Sequence, residues 1–144
     1  WRSVRSPLYG YDGIFWLHFG RFYRKIGRLA QAIDCFRTGI DFYDSYQTRH
    51  SLGVTLLELH LETGDMEYYQ EGVDFLEAER QARGNQDVYP TTALLQLLIK
   101  VIRNDSNNKD ALERARICFN YGMKHFKKDD HFNSIAKDYM RQAR

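Results

Sequence analysis

The stretch GIFWLHFGRFYRKIGRLAQAIDCFRTGIDFYDSY, residues 13–46, decides the fold of this 144-residue chain. Its apolar residues recur every three to four positions on both sides of Gly27, a pattern typical of two amphipathic helices joined by a tight turn. Small residues at Gly20 and Ala32 fall where two such helices would approach each other closely. We therefore predict an antiparallel pair of helices over these residues.

The same helical periodicity continues to the C-terminus, and no segment shows the sustained alternation of a strand. The predicted helices cover about 14–25, 29–43, 48–62, 66–82, 87–104, 109–127 and 130–144. We predict an all-α fold made of a lead-in segment and one helical-repeat domain over 13–144. The predicted parts are the lead-in over 1–12, which Pro7, Gly10 and Gly13 interrupt, helix pairs over 13–46, 47–86 and 87–128, and a C-terminal capping helix over 130–144.

The first helix pair carries a recognisable pattern of residues. The residues that fit it are Trp16, Gly20, Tyr23, Gly27, Ala32, Phe36 and Gly39. With this spacing the segment resembles the tetratricopeptide repeat, and weaker matches at Leu52-Gly53, Gly72 and Ala115 extend the likeness to about residue 127. The resemblance implies a right-handed superhelix that binds a protein or peptide in its concave groove.

The tetratricopeptide resemblance also implies which residues face that groove, because the first helix of each pair lines it in this family. The corresponding positions here are Leu17, Arg21, Arg24, Lys25, His50, Val54, Leu57 and Glu58. A groove with a basic end and an acidic, leucine-lined middle favours a polarised peptide or a protein surface over a single anionic ligand. The alternative is that these side chains form an ordinary solvated surface.

Three shorter stretches, Phe15–Gly20, Arg49–Gly53 and Tyr89–Thr92, carry a second resemblance. They resemble the C-terminal helical-repeat sensor regions of STAND-type nucleoside triphosphatases and of sirtuin-like effectors in bacterial defence proteins. In those families the repeats recognise a foreign protein and an N-terminal effector responds. The nucleotide-binding motifs of those families do not occur in these 144 residues, so such an activity would belong to another part of a larger protein.

Charge is distributed in three blocks along the chain, although the net charge is only +2. Residues 1–37 and 91–144 are basic, whereas residues 38–90 are strongly acidic. A nucleic-acid-binding domain usually presents one coherent basic face. The acidic middle block therefore argues against a nucleic-acid partner.

Motifs of catalysis and of cofactor binding are missing from the sequence. It contains no GxxxxGK[ST], GxGxxG, CxxC or HExxH pattern, and no two of its 5 histidines have the spacing that places them on one helical face. We therefore expect no enzymatic activity, no cofactor and no metal. Both cysteines, Cys35 and Cys118, lie in apolar helical patterns and are predicted to be small buried hydrophobic residues in a reducing compartment.

The first third of the chain is notably aromatic. We predict that Phe15, Trp16, Phe19, Phe22, Tyr23 and Ile26 form a broad buried face of the first helix. If this end of the chain were cut from a longer solenoid, some of these residues would be exposed and the chain would associate with itself.

Taken together, these patterns predict a non-enzymatic module that binds a protein or peptide. No stretch is long and apolar enough for a membrane span, and there is no signal-peptide pattern, so we expect a cytoplasmic location and no membrane partner. Because the sequence begins with Trp1 and not with Met, we expect it to be a piece of a larger multidomain protein. The alternative is a structural domain for self-assembly into a homo-oligomer; a sensor of a small molecule would need a closed polar pocket, which the sequence does not indicate.

Overall fold

Seven α-helices account for most of residues 9–143, the part of the chain that the computed structural model describes, with side chains from residue 12 onward. The helices are α1 (Tyr9–Lys25), α2 (Leu29–Phe42), α3 (Tyr46–Thr63), α4 (Met66–Arg83), α5 (Tyr89–Asn104), α6 (Lys109–His125) and α7 (Asp130–Gln142). A single 3₁₀ turn, Gly84–Gln86, follows α4, and no strand occurs within residues 9–143. The predicted all-α class is therefore confirmed.

Turn glycines and capping side chains fix the helix ends close to their predicted positions. Gly27 and Gly64 follow α1 and α3 with φ of +84° and +75°, the left-handed region that favours glycine. The backbone N–H of Gly64 donates to the carbonyl of His60 at 2.7 Å. Three N-cap side chains, those of Ser45, Asn108 and Asp129, accept the backbone N–H of the third residue that follows.

Helix α1 begins earlier than predicted. Its first turn starts at Tyr9, so the last four residues of the expected lead-in over 1–12 are helical, and the remainder of that segment lies outside the described residues. Gly13 was expected to interrupt the chain, but it lies inside α1. An added Cβ at Gly13 would lie only 2.6 Å from the Cβ of Tyr43, so the glycine allows close packing there.

The chain divides into two compact units, residues 1–75 and 76–144, with the boundary inside α4. In the first unit α1, α2 and α3 share a buried core formed by Leu17, Ala32, Ile33, Phe36, Leu52 and Leu56. A Cβ at Gly20 would lie 2.3 Å from the Phe36 ring, and one at Gly39 would lie 3.1 Å from the Cβ of Trp16. The predicted close approach of the first two helices is thus confirmed at Gly20, and a further close approach lies at Gly39.

The second unit is built around α5, which is buried along most of its length. Leu94, Leu95 and Leu98 of this helix are fully buried. Gly122 of α6 lies against the ring of Phe132 of α7, where a Cβ would come within 1.9 Å of Cε1.

A buried cation lies in this second unit. Arg80 pairs with Glu77, and its guanidinium carbon lies 5.2 Å from the ring centroid of Tyr121. Both contacts offset the cost of burying the charge. Arg80 is therefore satisfied by its neighbours within the unit.

The two cysteines are free thiols in buried positions, as predicted. Burial raises the pKa of the Cys118 thiol to about 12, so the reactive thiolate is absent at neutral pH. We expect iodoacetamide at about pH 8 to leave Cys118 unmodified in the folded chain and to modify it once urea unfolds the protein. Mass spectrometry of a Cys35→Ser variant measures this directly, and rapid modification of the folded variant would contradict the burial of Cys118.

Candidate partner-binding cleft

A cleft of about 250 Å³ opens between α1 and the beginning of α3, within the first unit. Helix α1 and the turn that follows α2 supply most of its lining residues, and the first turn of α3 supplies the others. The cleft is lined by Gly13, Ile14, Leu17, Arg21, Tyr43, Ser45, Gln47 and Thr48. The absence of a side chain at Gly13 brings the Tyr43 wall close to α1.

The walls of this cleft combine apolar surface with a few polar groups. Ile14 and Tyr43 are both half-exposed and offer contact to an apolar side chain. The hydroxyls of Ser45 and Thr48 lie 2.9 Å apart in a hydrogen bond that holds the first turn of α3. Such a surface suits a ligand that is apolar on one side and polar on the other.

Arg21 supplies the positive charge of the cleft. Its side chain is exposed and forms no hydrogen bond or ion pair with any residue between 12 and 143. An uncompensated guanidinium beside apolar surface favours a carboxylate, which it binds through two parallel hydrogen bonds.

Two of the residues predicted to face a partner are buried instead. Leu17 is only 9% exposed and belongs to the core, where it forms the floor of the cleft, and Leu57 is fully buried. The prediction of Leu57 as a contact residue is wrong, because its side chain packs against Gly72 of α4. The resemblance that implied Leu57 as a groove residue did not distinguish the more exposed side of α3 from the side that packs on α4.

Arg24 and Glu58 were predicted as separate groove charges, but they bind each other. The Nε atom of Arg24 donates to Oε1 of Glu58 at 2.6 Å, and Nη2 donates to Oε2 at 3.0 Å. This two-bond geometry engages the Glu58 carboxylate with Arg24. The prediction of Arg24 and Glu58 as separate charges that face a partner is therefore corrected, since the two side chains bind each other.

The remaining predicted residues lie outside the cleft. Lys25 is exposed at the end of α1, and His50 and Val54 are half-buried on α3. Of the eight predicted residues the structure places Leu17 and Arg21 in the cleft. The lining residues that prediction missed are Gly13, Ile14, Tyr43, Ser45, Gln47 and Thr48. The sequence did offer one signal for the missed residues, the N-cap pattern of Ser45 and Thr48. It marks the start of α3 only a few residues after the end of α2, so the residues of this turn lie close to both helices.

Comparison of this chain with protein-family models, with curated proteins and with solved structures finds no match. Within the described residues, no three or more His, Cys, Asp or Glu side chains are grouped so as to hold a metal ion. None of the helices in that part of the chain has both the length and the apolar composition needed to cross a bilayer.

Proposed function

We propose that this chain is a protein- or peptide-binding helical-repeat module, and that it acts by binding and not by catalysis. The observation that carries the proposal is the cleft beside Arg21, where apolar walls adjoin a positive charge that has no ion-pair partner among residues 12–143. A segment with one large apolar side chain and a nearby carboxylate fits both features. The apolar group would enter between Ile14 and Tyr43 while the carboxylate binds Arg21.

The proposed relation to tetratricopeptide repeats draws support from two ion pairs on the surface of the first unit. Arg24 of α1 binds Glu58 of α3, and Arg37 of α2 binds Glu71 of α4. In both pairs the partners are 34 residues apart, the length of one repeat. A chain in which each helix stacks beside its equivalent in the next repeat would produce this spacing.

Contacts around Gly20 and Gly39 support the same proposal for the first pair. Gly20 approaches Phe36, while Gly39 approaches Trp16 and the carbonyl of Gly13. The farther a residue of α1 lies before the Gly27 turn, the farther after the turn lies the residue of α2 that it contacts. Two antiparallel helices require this pattern. We further propose that three such helix pairs, followed by the capping helix α7, form a right-handed superhelix.

The wider setting of the module is also part of the proposal. Its resemblance to the sensor regions of bacterial defence proteins suggests that it recognises a foreign protein for a larger cytoplasmic protein. In that role the repeats bind and another domain responds.

Reversing the charge of Arg21 tests the proposed function. The probes are short synthetic peptides with one Leu or Phe and one Glu a few residues away, and matched peptides with Lys in place of Glu. We expect the acidic peptides to bind, and Arg21→Glu to weaken their binding at least about tenfold, because it replaces attraction by repulsion at the cleft. Fluorescence anisotropy with labelled peptides measures the dissociation constants.

The matched control is Lys100→Glu, which makes the same charge change at an exposed position of α5. This variant is expected to bind the acidic peptides as the unmodified chain does. Equal binding of acidic and basic peptides, or undiminished binding by the Arg21→Glu variant, would contradict the proposal.

A further inference from the structure

Helix α1 presents an apolar stripe to solvent on the side opposite the buried Leu17. The stripe consists of Phe15, Phe19 and Phe22 of α1 and of Ile26, the residue that follows the helix, and all four are 40–55% exposed. We call it the α1 seam. The prediction that these four residues form a buried face is wrong within the described chain, because α2 and α3 pack against the other side of α1.

The spacing within the α1 seam indicates what kind of partner fits it. Successive residues are separated by four, three and four positions, which is the 3.5-residue repeat of a coiled-coil interface. The rings of Phe15 and Phe19 pack edge to face with centroids 4.7 Å apart. A second helix laid along α1 would cover this row of side chains.

A shallow groove runs along one side of the α1 seam. It has a volume of about 330 Å³ and is lined by Trp16, Phe19, Tyr23, Gln31, Asp34 and Cys35. The groove widens the apolar surface from the seam toward α2. If a second helix lay along the α1 seam, the side chains at the edge of its contact surface would occupy this groove.

We propose that the α1 seam binds the α1 seam of a second copy of this chain, with the two helices antiparallel. In that arrangement Phe15 lies opposite Ile26 of the second copy, and Phe19 lies opposite Phe22 of the second copy. Every seam residue then meets an apolar residue. The surface is therefore self-complementary, as a two-fold symmetric interface requires.

The charges at the ends of α1 favour the antiparallel orientation. Asp12 lies in the first turn of the helix and Lys25 in the last, where the neighbouring Arg24 is already engaged by Glu58. Antiparallel pairing brings the acidic end of each helix toward the basic end of the other, whereas parallel pairing places like charges together. Opposite potentials across an interface fix orientation and register.

The exposed area of the α1 seam is consistent with a reversible dimer. An aromatic side chain offers about 150–250 Å², so four half-exposed seam residues supply on the order of 400 Å² per copy. Stable interfaces bury about 800 Å² per partner, and the weaker ones bury less. With the adjoining groove included, we expect a dimer that dissociates in the micromolar range.

Light scattering across the micromolar range tests this proposal. The unmodified chain is expected to shift from monomer to dimer as its concentration rises, and Phe19→Glu is expected to weaken dimerisation at least about tenfold by placing a charge in the apolar interface. Ile117→Glu, at a similarly exposed position of α6, is the matched control and should dimerise normally. A chain that stays monomeric throughout, or a Phe19→Glu variant that dimerises normally, would overturn the proposal.

Cross-linking tests the orientation. Phe15→Cys and Ile26→Cys variants, mixed and treated with a short bis-maleimide, are expected to form a cross-linked pair, whereas each variant alone is expected not to. Efficient cross-linking of either variant with itself would overturn the antiparallel arrangement. The unmodified chain, whose cysteines are buried, serves as the blank.

The proposed dimerisation and the proposed peptide binding can be tested separately. Phe19→Glu is expected to retain peptide binding, and Arg21→Glu is expected to retain dimerisation, because the two residues lie on different sides of α1. Loss of both properties in either variant would contradict the separation of the two surfaces; circular dichroism establishes that the variant is folded.

Discussion

Replacing Phe36 with alanine is expected to lower the free energy of unfolding by about 3–5 kcal/mol. The ring is fully buried in the first unit and lies over Gly20, which has no side chain to move into the vacated space. The loss therefore combines the transfer of a large apolar group with a cavity that the neighbouring helices fill only in part. Urea unfolding followed by circular dichroism measures the change.

Tyr43→Ala is the matched control for Phe36→Ala, since it also removes an aromatic ring from the first unit but at an exposed position. Its effect is expected to stay within about 0.5 kcal/mol. If Phe36→Ala cost no more than Tyr43→Ala, the packing of α1 on α2 described above would be contradicted.

Gly122→Ala is expected to destabilise the second unit by about 1–3 kcal/mol. Within a helix the same change normally stabilises a protein by about 0.5–1 kcal/mol, because glycine loses more backbone freedom on folding. Here the new Cβ would lie 1.9, 2.2 and 2.8 Å from three atoms of the buried Phe132 ring. The contact therefore reverses the usual sign, and urea unfolding of the variant measures both sign and size.

Combining Gly122→Ala with Phe132→Leu provides the internal control. The smaller side chain removes the ring atoms that the Cβ would meet, so Gly122→Ala should cost less in the Phe132→Leu background than alone. Equal costs in the two backgrounds, or stabilisation by Gly122→Ala alone, would show that α6 and α7 do not meet at this point.

The helices and their ends could be predicted well because they depend on local chemistry. Gly27 and Gly64 adopt positive φ, and Ser45 caps α3 through its own side chain. These signals act within a few residues and are visible in the sequence. The start of α1 was missed because Gly10 and Gly13 were interpreted as breaks, whereas Gly13 serves close packing against Tyr43.

The binding surface could be predicted only in part, because it depends on which side of each helix finds a neighbour. The tetratricopeptide resemblance implied Leu17 and Leu57 as groove residues, yet both are buried, while the aromatic α1 seam is exposed. A helix with apolar residues on several sides leaves this choice to tertiary packing. Arg24 and Glu58 show the same limit, since a pairing between residues so far apart in the chain becomes visible only in the folded structure.

The structure assigns different chemistry to the two sides of α1. The cleft side combines apolar walls with Arg21, which favours a segment that carries a carboxylate. The α1 seam is a row of apolar side chains and favours a helix. Under the two proposals one helix serves both recognition and self-association. A dimer would present two clefts to a partner with repeated sites, which raises the apparent affinity for that partner.

Mapping of backbone amide signals by NMR during a titration with the acidic peptide tests whether the cleft beside Arg21 binds an apolar and acidic segment. The shifts are expected to cluster at Ile14, Arg21, Tyr43 and Thr48, and the Lys-containing peptide is expected to produce far smaller ones. Shifts confined to residues away from this cleft, or no shifts at saturating peptide, would contradict the proposed binding.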